Sequence, residues 1–181
     1  MKQKDIYSTT QIIILDAASK IILDKGVDEL TLDAVAKQAG ISKGGLLYHF
    51  PSKKNLIEGM IKRLIDGVDA ALDAELEKTG GDFLLAYIRI SFENNPELNN
   101  ISCALFAAIA NDPQLLMPLQ ERYEQWQEQV AAAATSPEMG TLIRLVLDGL
   151  WMSDLLCFAP PSPEMRKKLL DLLLSMTSKE K

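Results

Sequence analysis

Apolar residues recur every three or four positions along most of this chain, and polar or small residues separate the apolar segments. In the first segment Ile14, Ala18 and Ile21 follow this spacing, which is the period of an α-helix with one buried face. No segment shows the strict alternation and hairpin turns of a half-buried β-strand. The pattern therefore predicts an all-α fold of about nine helices.

Glycine, proline and small polar residues mark the ends of these helices. Gly26, Gly40 and Gly80-Gly81 are placed to end helices, because glycine adopts the left-handed backbone of a helix C-terminus without steric cost. Ser136 and Ser162 are each followed by proline and glutamate, a favourable helix start. The nine predicted helices begin near Ser8 to Thr10, Thr31, Ser42, Ser52, Asp82, Leu98, Pro113, Ser136 and Ser162.

The segment Thr31 to Lys53 has the spacing of a helix-turn-helix. Two short helices cross closely only where the contact residue is small, and Ala36 meets that need. Gly40, four residues later, suits a left-handed turn, and Leu46 is the apolar residue that would hold the second helix against the first. The second helix of such a unit enters the DNA major groove, so this segment predicts a DNA-binding domain.

Two features of the second helix favour contact with DNA bases. Lys43 lies at its N-terminal end, which faces the bases in this type of unit. Gly44 and Gly45 follow, although glycine costs about 1 kcal/mol relative to alanine inside a helix. We interpret Gly44 as allowing close approach to DNA; the alternative is a helix frayed at its first turn. Leu47 is suited to contact a thymine methyl group.

Other polar groups of this segment are suited to phosphate oxygens. Tyr48 offers a hydroxyl, His49 an imidazole and Lys53 a positive charge. The free amide groups at the start of the second and fourth helices add donors, with Thr31 at one of them. His49, the single histidine of the chain, has no nucleophile motif beside it and is not a candidate catalytic base.

The net charge of −6 argues at first against a nucleic-acid partner, but the charge is unevenly distributed. Residues 1–63 carry ten Lys and Arg against seven Asp and Glu, a charge of +3. Residues 64–181 carry nine against eighteen, a charge of −9. This asymmetry favours a DNA-facing N-terminal domain and a remainder with another task.

The segment Ser42 to Lys53, preceded by the pattern Thr-x-x-x-Val-Ala-x-x-Ala-Gly, resembles the DNA-binding domain of the TetR family. The resemblance covers residues 10–57. It implies a homodimeric repressor of nine helices that a small ligand releases from DNA. Many members carry an aromatic or polar residue where this chain has Leu47, so we expect no hydrogen-bonded base recognition there. The family's DNA contacts fall on positions matching Thr31, Ser42, Lys43, Gly44, Leu47, Tyr48, His49 and Lys53.

Two domains are therefore expected, a helix-turn-helix domain at 1–54 and a ligand-binding and dimerisation domain at 55–181. The last two predicted helices of the second domain are rich in leucine on more than one side. We expect them to form a four-helix interface across a two-fold axis, because a symmetric operator needs two DNA-binding domains. The alternative is that they only close the core of one chain.

Aromatic and soft apolar residues of the C-terminal domain are candidates for an effector cavity, although each could equally belong to the core. Asp148 lies among them in an otherwise apolar helix. Because an unpaired buried charge is costly, we expect one of three states for Asp148: it is paired with an arginine, it is exposed, or it is available to a cationic ligand. The same three alternatives apply to Asp154. The candidate ligand-binding set is Phe83, Tyr87, Phe106, Tyr123, Trp126, Asp148, Trp151 and Met152.

Other classes of function find little support in the sequence. There is no catalytic constellation, phosphate-binding loop or metal motif, so we expect neither an enzyme nor a cofactor. Cys103 and Cys157 are expected to be free, buried thiols. The first ten residues lack the apolar core of a secretory signal, and no segment reaches roughly 18 uninterrupted apolar residues.

We therefore expect a cytoplasmic protein without membrane contact. Its expected partners are double-stranded operator DNA, a second copy of the chain and a small lipophilic effector. A more specific hypothesis is that this effector is a cation. The alternative function is a helical ligand-binding protein without specific DNA binding.

Overall fold

A computed structural model describes residues 7–93, 95–109 and 113–177 of the chain. The described residues contain nine α-helices and two short 3-10 turns, with no strand, so the predicted all-α fold is confirmed. The 3-10 turns are Val27–Glu29 and Pro113–Leu116. The helices are α1 (Thr9–Lys25), α2 (Leu32–Ala39), α3 (Lys43–His49), α4 (Lys53–Lys78), α5 (Phe83–Phe92), α6 (Pro96–Ile109), α7 (Met117–Ala133), α8 (Pro137–Leu155) and α9 (Pro163–Thr177).

The helices begin where capping residues were expected. The side-chain oxygens of Ser8, Asp82 and Ser136 each accept a hydrogen bond from the backbone N–H three residues later, at 3.3, 2.9 and 3.2 Å. These bonds satisfy N–H groups that have no partner inside the helix. Two starts differ from expectation, because α6 begins two residues earlier and Pro113–Leu116 forms a 3-10 turn before α7.

One compact unit comprises the residues up to Leu64 together with Glu97–Leu119. Within it α1 packs against α2, and α2 packs against α3. Phe50 is buried against Gly59 of α4, where a Cβ atom would lie only 2.6 Å from the phenyl ring. The fully buried side chains of this unit include Ile14, Leu15, Leu30, Val35, Leu46, Leu56, Met60 and Ile61.

An arginine joins three helices of this first unit. Arg63 of α4 is 11% exposed and donates hydrogen bonds to Asp16 of α1 at 2.7 Å and to Glu97 of α6 at 2.6 Å. A guanidinium binds two carboxylates well because its donors form a rigid planar fork. The unit is thus built from two segments that are distant in the sequence.

The second compact unit comprises Ile65–Pro96 and the residues from Gln120 onward. Within it α5 packs against both α8 and α9. The backbones of α7 and α8 approach closely at Gly140, where a Cβ atom would lie 2.8 Å from the carbonyl oxygen of Val130 and 2.9 Å from the Cα of Ala131. Only glycine fits such an approach without a shift of one helix.

The expectation of two buried thiols was wrong, because neither cysteine is fully buried. Cys157 is exposed and has a left-handed backbone, with φ of 54°, in the turn that follows α8. Cys103 of α6 is half-buried. Pro160-Pro161 ends the helical pattern downstream, but α8 itself stops at Leu155, so the thiol lies beyond the helix.

Within the described ranges, none of the helices combines the length and the apolar character needed to cross a bilayer. The same residues contain no group of three or more histidine, cysteine, aspartate or glutamate side chains placed to hold a metal ion.

Candidate nucleic-acid interface and effector site

The helix-turn-helix has the geometry that its sequence predicted. Gly40 adopts a left-handed backbone with φ of 68°, and the N–H of Ile41 donates to the carbonyl of Ala36 at 3.0 Å. Ala36 is 4% exposed and Leu46 is fully buried, so a small residue and a leucine lie in the interior beside the turn. This packing fixes α3 as a short helix held by α2.

A side-chain hydroxyl caps the start of each of the two helices of the helix-turn-helix, α2 and α3. Thr31 Oγ1 accepts from the N–H of Ala34, and Ser42 Oγ accepts from the N–H of Gly45, both at 3.1 Å. Both residues are exposed. A hydroxyl that accepts such a bond keeps its own proton as a donor, so both remain suited to a phosphate oxygen.

The two lysines of the expected DNA-contacting set have partners within this unit. Lys43 Nζ lies 2.9 Å from Asp33 Oδ2, and Lys53 Nζ donates to the carbonyl of Val27 at 3.2 Å. Asp33 was missed by the sequence analysis. Its signal was weak, since ten residues and a turn separate it from Lys43.

The remaining residues of this set present an exposed surface on α3. Gly44 has open space where a side chain would begin, with no protein atom within 4 Å of an added Cβ. Leu47 is 36% exposed and Tyr48 is 84% exposed. His49 is half-buried, and its ring meets the Tyr48 ring edge-on with centroids 5.0 Å apart. Packing within the chain therefore explains neither the missing side chain at position 44 nor the exposure of Tyr48.

Part of the candidate effector set forms a cluster in the second unit. Phe83 and Tyr87 of α5 stack with centroids 6.1 Å apart, and Tyr123 meets Trp126 edge-on at 5.2 Å on α7. Asp148 of α8 lies near Tyr87 and Tyr123, so that its charge helps to raise the pKa of both hydroxyls. We call Phe83, Tyr87, Tyr123, Trp126 and Asp148 the aromatic–acid cluster.

Asp148 is paired with an arginine, which was one of its three expected states. Arg144, one turn earlier on α8, donates to the Asp148 carboxylate and also to the side-chain oxygen of Gln127. Burial raises the pKa of Asp148 above its ordinary value, and this effect outweighs the lowering by Arg144 and by the Tyr123 hydroxyl. Arg144 could have been found from its i,i+4 spacing to Asp148.

Both tyrosines of the cluster are held in the neutral form. Burial is the main cause that raises the pKa of Tyr123 to about 12, and the nearby Asp148 charge adds to it. The pKa of Tyr87 is raised further for the same two reasons. The cluster therefore combines two neutral hydroxyl groups, aromatic faces and the carboxyl group of Asp148, which is paired with Arg144.

The other three candidates differ in compact unit or in exposure. Phe106 belongs to the first unit and is 45% exposed, Met152 is 41% exposed, and Trp151 is half-buried. Asp154, the second acid in question, is paired with Arg166 of α9. Sequence reasoning also missed Asp69, whose Oδ1 accepts from the Trp126 indole at 3.0 Å and fixes that ring in place.

Two family models match the chain. One describes bacterial regulatory proteins of the tetR family and matches residues 14–60; the other describes a tetracyclin repressor-like C-terminal domain and matches residues 81–178. The second match alone covers more than half of the chain. The chain belongs to the TetR family of transcription regulators, which are non-enzymatic proteins with a helix-turn-helix DNA-binding domain. The resemblance inferred from the sequence is confirmed.

Individual relatives agree with this assignment. The biofilm operon icaADBC negative transcriptional regulator IcaR of Staphylococcus aureus is 29% identical over 101 residues, which cover 56% of this chain and 54% of IcaR. The chain thus spans about half the length of the curated relatives it matches.

Two solved structures share the fold. A TetR-family member from Streptomyces coelicolor A3 has a TM-score of 0.70 and 24% identity, covering 92% of this chain and 98% of the other. The multidrug binding protein EbrR complexed with malachite green has a TM-score of 0.67 and 21% identity, covering 95% and 100%. At this identity the likeness concerns the fold alone.

Proposed function

We propose that the chain represses transcription by binding a two-fold symmetric operator as a homodimer, and that a small lipophilic cation releases it. The observation that carries the DNA-binding part is the surface of α3, where open Gly44 and exposed Tyr48 serve no packing role within the described chain. A backbone free of side chains can approach a base edge closely, and a tyrosine hydroxyl is suited to a phosphate oxygen. The family assignment supports the same surface.

The proposed dimer interface is an apolar face of α8 and α9. Residues of this face share one side of each helix, with spacings such as three, four or seven positions that bring side chains to the same side, which is the pattern of helices paired in a bundle. Isolated exposed apolar residues are ordinary, whereas a regular row of them indicates a partner. The row consists of Leu142 (49% exposed), Leu145 (55%), Val146 (37%) and Met152 (41%) on α8, of Leu156 (39%) directly after α8, and of Met165 (48%) and Leu172 (51%) on α9.

The proposed effector site is the aromatic–acid cluster. Its aromatic faces suit a lipophilic ring system, and a cation gains from both π faces and a carboxylate. Arg144 already neutralises Asp148, so a cationic effector must compete with the guanidinium. Gln127 remains as an acceptor for Arg144 when that exchange takes place. EbrR, which shares the fold, has been crystallised with malachite green, a cationic dye.

The DNA-binding proposal is tested by selecting duplexes that the full chain binds from a pool of random sequence. Gel shifts with the enriched duplexes are then repeated from about 50 to about 200 mM salt. We expect a palindromic motif and an affinity that falls steeply with salt, because phosphate contacts release counterions. Failure to enrich any motif would favour the alternative, a ligand-binding protein without specific DNA binding.

The same gel shifts test the dimer. Leu145→Glu places a charge in the proposed interface and is expected to give monomers in sedimentation and to abolish the operator complex. Leu23→Glu is the matched control, because Leu23 of α1 is 46% exposed and lies outside the proposed interface. A dimer that survives Leu145→Glu contradicts the interface.

The effector proposal predicts that Asp148→Asn weakens malachite green binding roughly tenfold, the effect of about 1.4 kcal/mol of lost charge attraction. Binding is measured by quenching of tryptophan fluorescence, since Trp126 lies in the cluster. Operator binding without the dye should be unchanged. Asp154→Asn, the same change elsewhere on α8, is the control.

The pH dependence of dye binding follows from the pKa of Asp148. Because burial raises this pKa, the carboxylate takes up a proton at a higher pH than an ordinary aspartate. Protonation removes the charge that attracts a cation, so dye affinity should fall as the pH is lowered toward this pKa. Tyr87 and Tyr123 stay neutral throughout this range, because their pKa values are raised. Equal dye affinity in wild type and Asp148→Asn rules out the cationic effector.

A further inference from the structure

The Asp33–Lys43 pair has no evident role in the fold. Its charged atoms are 2.9 Å apart, and the two side chains are 71% and 57% exposed. An ion pair this exposed adds little to stability, because water screens the attraction and two long side chains must be ordered. The pair nevertheless joins the first turn of α2 to the first residue of α3, the helix proposed to enter the major groove.

The two residues also differ in how they suit their own helices. Asp33 lies in the first turn of α2, where a negative charge is favourable. Lys43 is the first residue of α3, where a positive charge opposes the helix dipole. Helix stability therefore does not explain Lys43, and Asp33 is the group that compensates for it.

A carboxylate and an ammonium side by side match the major-groove edge of a guanine–cytosine pair. That edge presents the acceptors N7 and O6 of guanine next to the N4 amino donor of cytosine. A carboxylate accepts from N4, while a lysine ammonium, which has three donors, reaches both O6 and N7. In an adenine–thymine pair the two acceptors, adenine N7 and thymine O4, are separated by the N6 amino donor, so the ammonium would reach only one of them.

We propose that Asp33 and Lys43 act as one unit that recognises a single guanine–cytosine pair in each operator half-site, with Asp33 as a specificity-determining residue. This inference rests on the proposed operator binding. Leu47 and Gly44 of α3 offer no side-chain hydrogen-bonding group, so Lys43 of α3 and Asp33 of α2 together supply the polar part of base recognition.

Asp33 also limits binding to DNA of any sequence. Its charge neutralises Lys43, so the pair adds little attraction to phosphates. Asp33→Asn frees one cation beside the DNA. We expect tighter binding to a scrambled duplex, a salt dependence of that binding steeper by about one unit in log–log slope, and a roughly tenfold lower ratio of operator to scrambled-duplex affinity.

The decisive experiment compares the motifs that full-length wild type, Asp33→Asn and Asp24→Asn enrich from one random duplex pool. Asp24 is an exposed acid near the end of α1, so its change to asparagine alters the net charge equally. We expect Asp33→Asn to lose the preference at one guanine–cytosine position per half-site and to keep the others. Asp24→Asn should enrich the wild-type motif.

Three outcomes overturn the inference while leaving operator binding intact: an unchanged motif in Asp33→Asn, a lost preference at an adenine–thymine position, or an equal change in Asp24→Asn. A wild type that enriches no motif instead removes the proposed function itself. Thermal melting confirms that each variant is folded, and Asp33→Ser replaces the asparagine variant if its midpoint falls.

Discussion

Gly44→Ala is expected to stabilise the folded chain and at the same time to weaken operator binding by roughly tenfold or more. Alanine gains about 0.5–1 kcal/mol over glycine within a helix, and no protein atom lies within 4 Å of the added methyl group. At a surface that meets DNA closely, the same methyl group forces a separation. An overpacking cost of about 1–3 kcal/mol corresponds to a loss of affinity of about thirtyfold at the middle of that range.

Thermal melting and gel shifts on the enriched operator measure the two effects separately. Gly45→Ala is the neighbouring control, because its methyl group would lie 3.3 Å from Ser42 Oγ and press on the α3 cap. Its gain in stability should be smaller. If Gly44→Ala melts higher and binds the operator as well as wild type, the two glycines mark only a frayed first turn.

Gly140→Ala is expected to destabilise the chain by about 2 kcal/mol, which lowers the melting midpoint by about 4–8 °C. The added Cβ would lie 2.8 Å from the Val130 carbonyl oxygen and 2.9 Å from the Ala131 Cα. Both are backbone atoms, so no rotamer change relieves the contact and the α7 and α8 backbones must separate.

Calorimetry or circular dichroism at fixed protein concentration measures this loss. Gly44→Ala is the matched control, since it is the same substitution in a helix with open space and should shift the midpoint upward. A midpoint for Gly140→Ala at or above that of wild type would contradict the close approach of α7 and α8.

Local chemistry allowed much of this fold to be predicted from sequence. Capping serines, positive-φ glycines and a 3.6-residue apolar period act over one or two turns, so Ser8, Gly40 and Ser136 are recognisable without tertiary information. The helix-turn-helix was predicted for the same reason. Its small residue, glycine and leucine are fixed in spacing by the geometry of two crossing helices.

Interactions between residues that are distant in the sequence could not be predicted from it. The partner of Lys43 depends on how α2 and α3 cross, and the acceptor of the Trp126 indole lies 57 residues away on α4. The candidate effector set was chosen by residue type. It contains Tyr87 and Tyr123 of the cluster together with Phe106, which belongs to the other compact unit.

The ion pairs of Arg63 with Asp16 and Glu97 have a consequence for exchanging DNA-binding domains between regulators. A chimaera built by joining the first 64 residues to another sensor would leave behind the Glu97 carboxylate, which Arg63 binds at 2.6 Å. Its guanidinium, 11% exposed, would then keep only the Asp16 carboxylate as a counter-ion. A stable chimaera should therefore carry α6 together with the first 64 residues. The segment to be transferred is then discontinuous in the gene.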